Sequence, residues 1–191
     1  MMKRILSLHL CFMMFFIANA ETIQKGYHGF ADVGYCQCTS DLAPAIIDVA
    51  TSHGYQFSNY IFLGAGVGFD YTGKATWEKI DGRPYYKRDS SVDVPLFFNG
   101  RFNFTNTKLI PFLDLRAGTY INNEGGYLLN AMVGCRLNLS DNNGLSFSIG
   151  AKCRSVTAER LNYNKYKKAF IYEDKENESL EGLVFKIGFD F

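Results

Sequence analysis

The chain has 191 residues, 20 basic and 19 acidic, for a formal charge of +1. That length suits one domain, and a balance so close to neutral gives no basic excess to suggest a nucleic-acid partner. Past residue 20 no apolar run is long enough for a helical membrane span.

The first twenty residues, MMKRILSLHLCFMMFFIANA, stand apart. Lys3 and Arg4 precede a mostly apolar run from Ile5 to Ile17, and Ala18-Asn19-Ala20 follows. This order predicts a Sec-type secretory signal over 1–20 and a mature domain over 21–191. Leu8-His9-Leu10 before Cys11 does not make a lipoprotein box. The mature chain carries 18 basic and 19 acidic groups, a formal charge of −1. An exported chain without a helical span is either soluble outside the inner membrane or a β-barrel in an outer membrane.

Period-two alternation predicts eight strands. The first covers 26–35, with Ala31, Val33 and Tyr35 opposite Phe30, Asp32 and Gly34. The second covers about 45–57, with Ile47, Val49, Thr51, Tyr55 and Phe57 opposite Asp48, Ala50 and Ser52. The third, 60–71, sets Ile61, Leu63, Val67, Phe69 and Tyr71 against Gly64, Gly66, Gly68 and Asp70.

The fourth, 92–104, opposes Val92, Leu96, Phe98, Phe102 and Phe104 to Asp93, Asn99 and Arg101. Pro95 is its weak point, because proline cannot donate to a ladder. The fifth, 109–120, opposes Leu113, Leu115 and Ala117 to Asp114, Arg116 and Gly118. The sixth, about 125–138, opposes Leu129, Val133 and Cys135 to Asn130, Gly134 and Arg136.

The seventh starts at 145, with Phe147, Ile149 and Cys153 opposite Ser148, Gly150, Lys152 and Arg154. The eighth is LVFKIGFDF, 183–191, with Phe185, Ile187, Phe189 and Phe191 opposite Lys186, Gly188 and Asp190. Connections near 57–60, 104–109 and 138–144 are short. Two long polar loops, 72–91 and 159–180, fall at the opposite end, the distribution an outer-membrane barrel requires.

A soluble barrel would turn the apolar face inward and the charges to water. Three features favour a membrane barrel instead. The polar face is rich in glycine, which an eight-stranded interior needs for room. It carries both charge signs: Asp32, Asp48, Asp70, Asp93, Asp114 and Asp190 against Arg101, Arg116, Arg136, Lys152, Arg154 and Lys186. These twelve are the expected lumen charges, with Arg101 diagonal to Asp114 and Lys186 approaching Asp32 on closure. The apolar face also ends in aromatics, among them Tyr35, Tyr55, Phe57, Phe69, Tyr71, Phe102 and Phe104, as interfacial girdles do. The expected fold class is all-β, an eight-stranded antiparallel up-and-down transmembrane β-barrel.

On these residues the chain resembles the small eight-stranded outer-membrane proteins of Gram-negative bacteria. These are represented by the membrane domain of outer membrane protein A and by outer membrane protein X, and the style is that of Bacteroides-like barrels. The resemblance covers nearly all of 26–191. It implies a bacterial outer-membrane location and contact with outer-membrane lipid and lipopolysaccharide. It also implies an assembly signal for the barrel-assembly machinery in Phe185, Ile187, Phe189 and Phe191. No peptidoglycan-binding domain follows the barrel, unlike the two-domain members, and a monomer is expected.

The expected function is a non-enzymatic integral barrel with a structural or surface-interaction role. The alternatives are a ligand- or lipopolysaccharide-binding barrel, a narrow porin-like channel and a lipid-modifying enzyme. After the signal only His28 and His53 remain, both near one strand end and read as interfacial side chains, with no nucleophile and base gathered between them. Eight strands leave a filled interior rather than a wide pore. Trp77, Tyr85, Tyr86, Tyr163, Tyr166, Phe170 and Tyr172 lie in or beside the long loops and are the candidate surface-binding residues. Cys36 and Cys38 lack the further ligands of a zinc site, and Cys135 and Cys153 lie about six residues out of register. All four are read as small apolar side chains, and no cofactor is expected.

Overall fold

The computed structural model describes residues 25–39, 45–80, 83–122, 126–140, 143–164 and 169–191. Residues 1–20, the expected signal, lie outside them. The elements in chain order are β1 (Gly26–Cys38), β2 (Ala45–Ser58), β3 (Ile61–Thr72), β4 (Ala75–Ile80), β5 (Arg83–Arg88), β6 (Ser91–Asp93), β7 (Pro95–Asn103), β8 (Leu109–Tyr120), β9 (Tyr127–Asn138), β10 (Gly144–Asn164) and β11 (Ala169–Asp190). No helix occurs among the described residues.

Eight strands close into an all-antiparallel barrel: β1, β2, β3, the broken strand β6–β7, β8, β9, β10 and β11, with β11 pairing β1. The break at Val94 has a simple cause. Val94 spends its backbone groups towards the β8 side, its N–H donating to Asn122 Oδ1 at 2.9 Å and its carbonyl accepting from Ile121 N at 2.9 Å. Pro95 then has no N–H to give to β3, so the β3 ladder lapses there and resumes at Leu96.

The register fixes the shape. Cys38 pairs Gly182, and the row continues through Lys152, Asn130, Arg116, Asn99, Gly64 and Gly54 to His28 on β1 again. One circuit therefore returns to β1 about ten residues from its start, a large stagger for eight strands. With a rise of ~3.3 Å per residue and strands ~4.8 Å apart, that stagger sets a tilt of about 41° and a backbone radius of about 8 Å. Such an interior admits side chains and little else.

The short connections at 59–60, 104–108 and 139–143 gather at one end, the turn end. At the other, the extension end, the structure departs from the expected loops. β10 and β11 run on past the barrel as a hairpin, pairing as far as Asn164↔Ala169. The segment read as the loop 72–91 holds the β4–β5 hairpin, whose Lys87 and Tyr86 pair Glu159 and Arg160 of β10. A four-stranded sheet β4–β5–β10–β11 thus stands above the barrel mouth.

Candidate functional site: an ion-pair chain through the barrel

Burial along the strands is inverted relative to a soluble barrel. Val33, Val49, Phe69, Phe98, Val133, Phe147 and Ile187 are exposed, whereas Asp114, Asp190 and Arg154 are fully buried. The polar parity points to the axis and the apolar parity points out. On β1, β2, β3, β6, β7, β8, β9 and β10 as far as Cys153, no Asp, Glu, Lys or Arg stands on the outward face. The chain is an inside-out barrel.

All twelve expected lumen charges are buried, and the structure brings them into one alternating chain. From the turn end, Arg136 Nε lies 2.9 Å from Asp190 Oδ2, which is 3.2 Å from Arg101 Nη1. Arg101 Nε and Arg116 Nε each lie 2.9 Å from Asp114, on different oxygens. Arg116 grips Asp32 bidentately at 2.7 and 3.1 Å, and Lys186 Nζ lies 2.8 Å from the same carboxylate. Lys186 also pairs Asp48. Lys152 then joins Asp48 at 3.2 Å to Asp70 at 2.8 Å. Arg154 links Asp70, at 3.4 Å, to Asp93 at the extension end. Acid and base alternate throughout, so the lumen charge sums to zero. Arg101 and Asp114 face each other directly in register rather than diagonally.

Charge this deep is tolerable only when each ion is compensated by partners and hydrogen bonds. Neutral donors complete several shells. Asn99 Nδ2 donates to Asp114 Oδ1 at 3.0 Å, Tyr120 O–H to Asp70 Oδ2 at 2.6 Å and Ser146 O–H to Asp190 Oδ1 at 3.2 Å.

Aromatic rings pack the remaining space. The Arg101 guanidinium lies 3.8 Å from the Phe30 ring centroid and 4.4 Å from that of Phe112. Arg116 lies over Phe97, and Arg154 lies 4.4 Å from the Tyr120 ring. Glycines make the room. A Cβ on Gly66 would lie 2.5 Å from Phe97 Cζ, and one on Gly134 would lie 2.6 Å from Phe112 Cζ. The signal was parity: Phe62, Phe97, Phe112 and Tyr120 occupy the same face as the charges.

The two histidines part company. His28 is buried in the interior rather than interfacial, because it shares the inward parity of Phe30 and Asp32. His53 is outside at the turn end, its ring between Tyr27 O–H at 2.5 Å and Thr51 Oγ1 at 2.9 Å. Thr51 donates to the Phe30 carbonyl at 3.0 Å. Its oxygen therefore accepts from His53 Nε2–H.

Phe185, Ile187, Phe189 and Phe191 all point outward on β11 and at its end. Of the candidate surface-binding aromatics, Tyr166 lies outside the described residues. For the others only backbone placement is described: Trp77 pairs Tyr86, Tyr163 pairs Phe170 and Tyr172 pairs Leu161, while Tyr85 lies beside Tyr86 on β5.

No family model matches the chain, and no curated protein matches it. Among solved structures, it is similar to the de novo designed TMB2.3 solved by solution NMR, at 17 % identity and a TM-score of 0.44, over 87 % of this chain and 94 % of that one. It is also similar to a Pseudomonas aeruginosa FadL homologue, at 13 % identity and a TM-score of 0.35, over 77 % of this chain and 37 % of that one. The closed register and the inverted burial are what define the fold.

Proposed function

We propose that the protein is a non-enzymatic integral barrel of a bacterial outer membrane, with a structural role in the envelope. The observation that carries this reading is the inverted burial: an outward face of apolar side chains around an interior chain of ion pairs. The outward run on β3 from Ile61 to Tyr71 measures about 33 Å along the strand at ~3.3 Å per residue. At the tilt set by the stagger this is about 25 Å along the axis, the height of the apolar band in outer-membrane barrels. Tyr35, Tyr55, Phe57, Tyr71, Phe104 and Phe191, all exposed, stand near its rims, where outer-membrane lipid and lipopolysaccharide headgroups meet the barrel.

The ion-pair chain argues against a diffusion pore, because the charges that would line a channel are spent on one another. The positions of His28 and His53, one inside the barrel and one outside, argue against a hydrolytic site. A surface-interaction role finds its support in the four-stranded extension, which carries Trp77, Tyr86, Tyr163 and Phe170 beyond the mouth.

The test is to fold the chain in detergent and compare unheated and boiled samples on a gel. A membrane barrel migrates compactly unheated and shifts on boiling, whereas a detergent-free soluble monomer would overturn the reading. Planar-bilayer recordings should show no stable conductance, and a steady open channel would refute the closed lumen.

A further inference from the structure

We propose that Cys36 and Cys38 form a binding site for a soft, thiophilic monovalent metal ion of the Cu(I) or Ag(I) kind, at the extension-end mouth of the barrel. Alternate positions on β1 place both side chains on the inner face, where they are 1 % and 8 % exposed. Neither is in a disulfide. Gly182, paired with Cys38 across the seam, leaves the space that the Cys36 sulfur fills, since a Cβ there would lie 2.6 Å from Cys36 Sγ.

Met132 belongs to the same buried cluster, with its sulfur 4.0 Å from Ser148 Oγ. Met132 shares a transverse row with Cys36 through Gly150 and the buried Val184, which closes the thiol pair in on that side.

Two sulfur donors do not complete the tetrahedral shell of zinc. They do match a soft ion that accepts two ligands, because thiolates select Cu(I). On binding, both thiols lose their protons to solvent and two metal–sulfur bonds form, with no change of oxidation state. The dithiolate complex of a monovalent ion carries one negative charge, and the buried Lys152 shares a transverse row with Cys38 through Gly182. Cys38 ends β1 at the extension end of the barrel.

The experiment uses the mature chain, residues 21–191, folded in detergent under reductant. It is titrated with Ag(I), and with Cu(I) held against a chromophoric chelator, and native mass spectrometry reads the stoichiometry. Alkylation with peptide mapping then identifies which thiols the metal shields. The expected result is one ion per chain, with Cys36 and Cys38 protected and Cys135 and Cys153 left reactive. Uptake should be lost in Cys36→Ser and in Cys38→Ser, and kept in the Cys135→Ser/Cys153→Ser double variant. The mapping needs no variant, so a serine variant that fails to fold does not spoil the test. Uptake that follows Cys135 or Cys153 would overturn the proposal, as would none at all, or protein isolated without reductant that is lighter by the two hydrogens of a Cys36–Cys38 disulfide.

Discussion

Asp70 of β3 and Asp93 of β6 face each other in register, two carboxylates side by side on the inner wall. Asp48 of β2 extends the row, because it pairs Asp70 from the other side. Like charges directly opposite destabilise a sheet, so this row is sustained by cations from across the lumen. Lys152 bridges Asp48 and Asp70, and Arg154 bridges Asp70 and Asp93.

Removing one of these cations should therefore be costly, and removing its partner as well should recover part of the loss. Arg154→Met is expected to cost about 3–5 kcal/mol, the range for breaking a buried pair while leaving the other ion in place. In Arg154→Met/Asp93→Asn the penalty should be smaller than in Arg154→Met alone, because contacting residues are not additive. Urea unfolding in lipid vesicles measures both. A double variant no more stable than the single would show that the row is compensated by other means.

Two glycines separate lumen crowding from strand propensity. Gly118 lies on the inner face, where a Cβ would meet the Leu96 carbonyl oxygen and come within 2.6 Å of Phe97 Cα, both backbone atoms. Gly100 lies on the outer face in an apolar trough of about 640 Å³ with Ala117, Ala131 and Ala151, and its Cβ would meet nothing nearer than 3.6 Å. Gly118→Ala should destabilise by roughly 1–3 kcal/mol, as overpacking does. Gly100→Ala should stabilise by roughly 0.5–1 kcal/mol by relieving the entropy cost of glycine in a strand. Unfolding midpoints of the two variants in one detergent decide it, and equal shifts would contradict the lumen assignment.

The strands inside the apolar band were legible because only one face of each is apolar, and period two marks that face at every second residue. The Lys186–Asp32 closure was legible too, since joining the first and last strands in simple register aligns them. The order of the ion pairs was not. Which lysine reaches which aspartate across the lumen depends on the stagger accumulated around the barrel, and no single strand contains it. The extensions of β10 and β11 were hidden for a different reason. Above the apolar band neither face of a hairpin needs greasy residues, so a sequence such as Glu173-Asp174-Lys175-Glu176 reads as a loop even where it pairs as a strand. The Pro95 interruption was visible in the sequence, but not that the backbone groups of Val94 would turn to Ile121 and Asn122.

A charge on the outward face separates the membrane reading from a soluble one. Val133, midway along β9, is 54 % exposed. In a soluble barrel Val133→Arg would be harmless, as exposed substitutions are, within about 0.5 kcal/mol. In a bilayer it should cost about 2–4 kcal/mol near the midplane. Folding titrations in vesicles against detergent micelles read the difference, and a variant as stable as the parent in vesicles would count against lipid contact.

The seam between β1 and β11 makes the last prediction. Gly29 N donates to the Phe191 carbonyl at 2.7 Å, and Phe191 N donates to the Gly29 carbonyl at 2.9 Å. The Phe191 ring lies where a side chain on residue 29 would be, since a Cβ there would come 2.5 Å from its Cε2. The His53 ring meets that of Phe191 edge-on, with centroids 6.0 Å apart. Phe191→Ala keeps both backbone bonds and uncovers Gly29, so the loss is packing alone at an exposed position and should stay near about 1 kcal/mol. Read as an assembly signal, the same ring should matter far more to insertion in cells than to the stability of the finished barrel. The check is paired: surface level in the native host, and unfolding midpoint of the purified barrel. A large drop in the first with a small shift in the second is expected, and equal surface levels for variant and parent would remove the assembly role from Phe191.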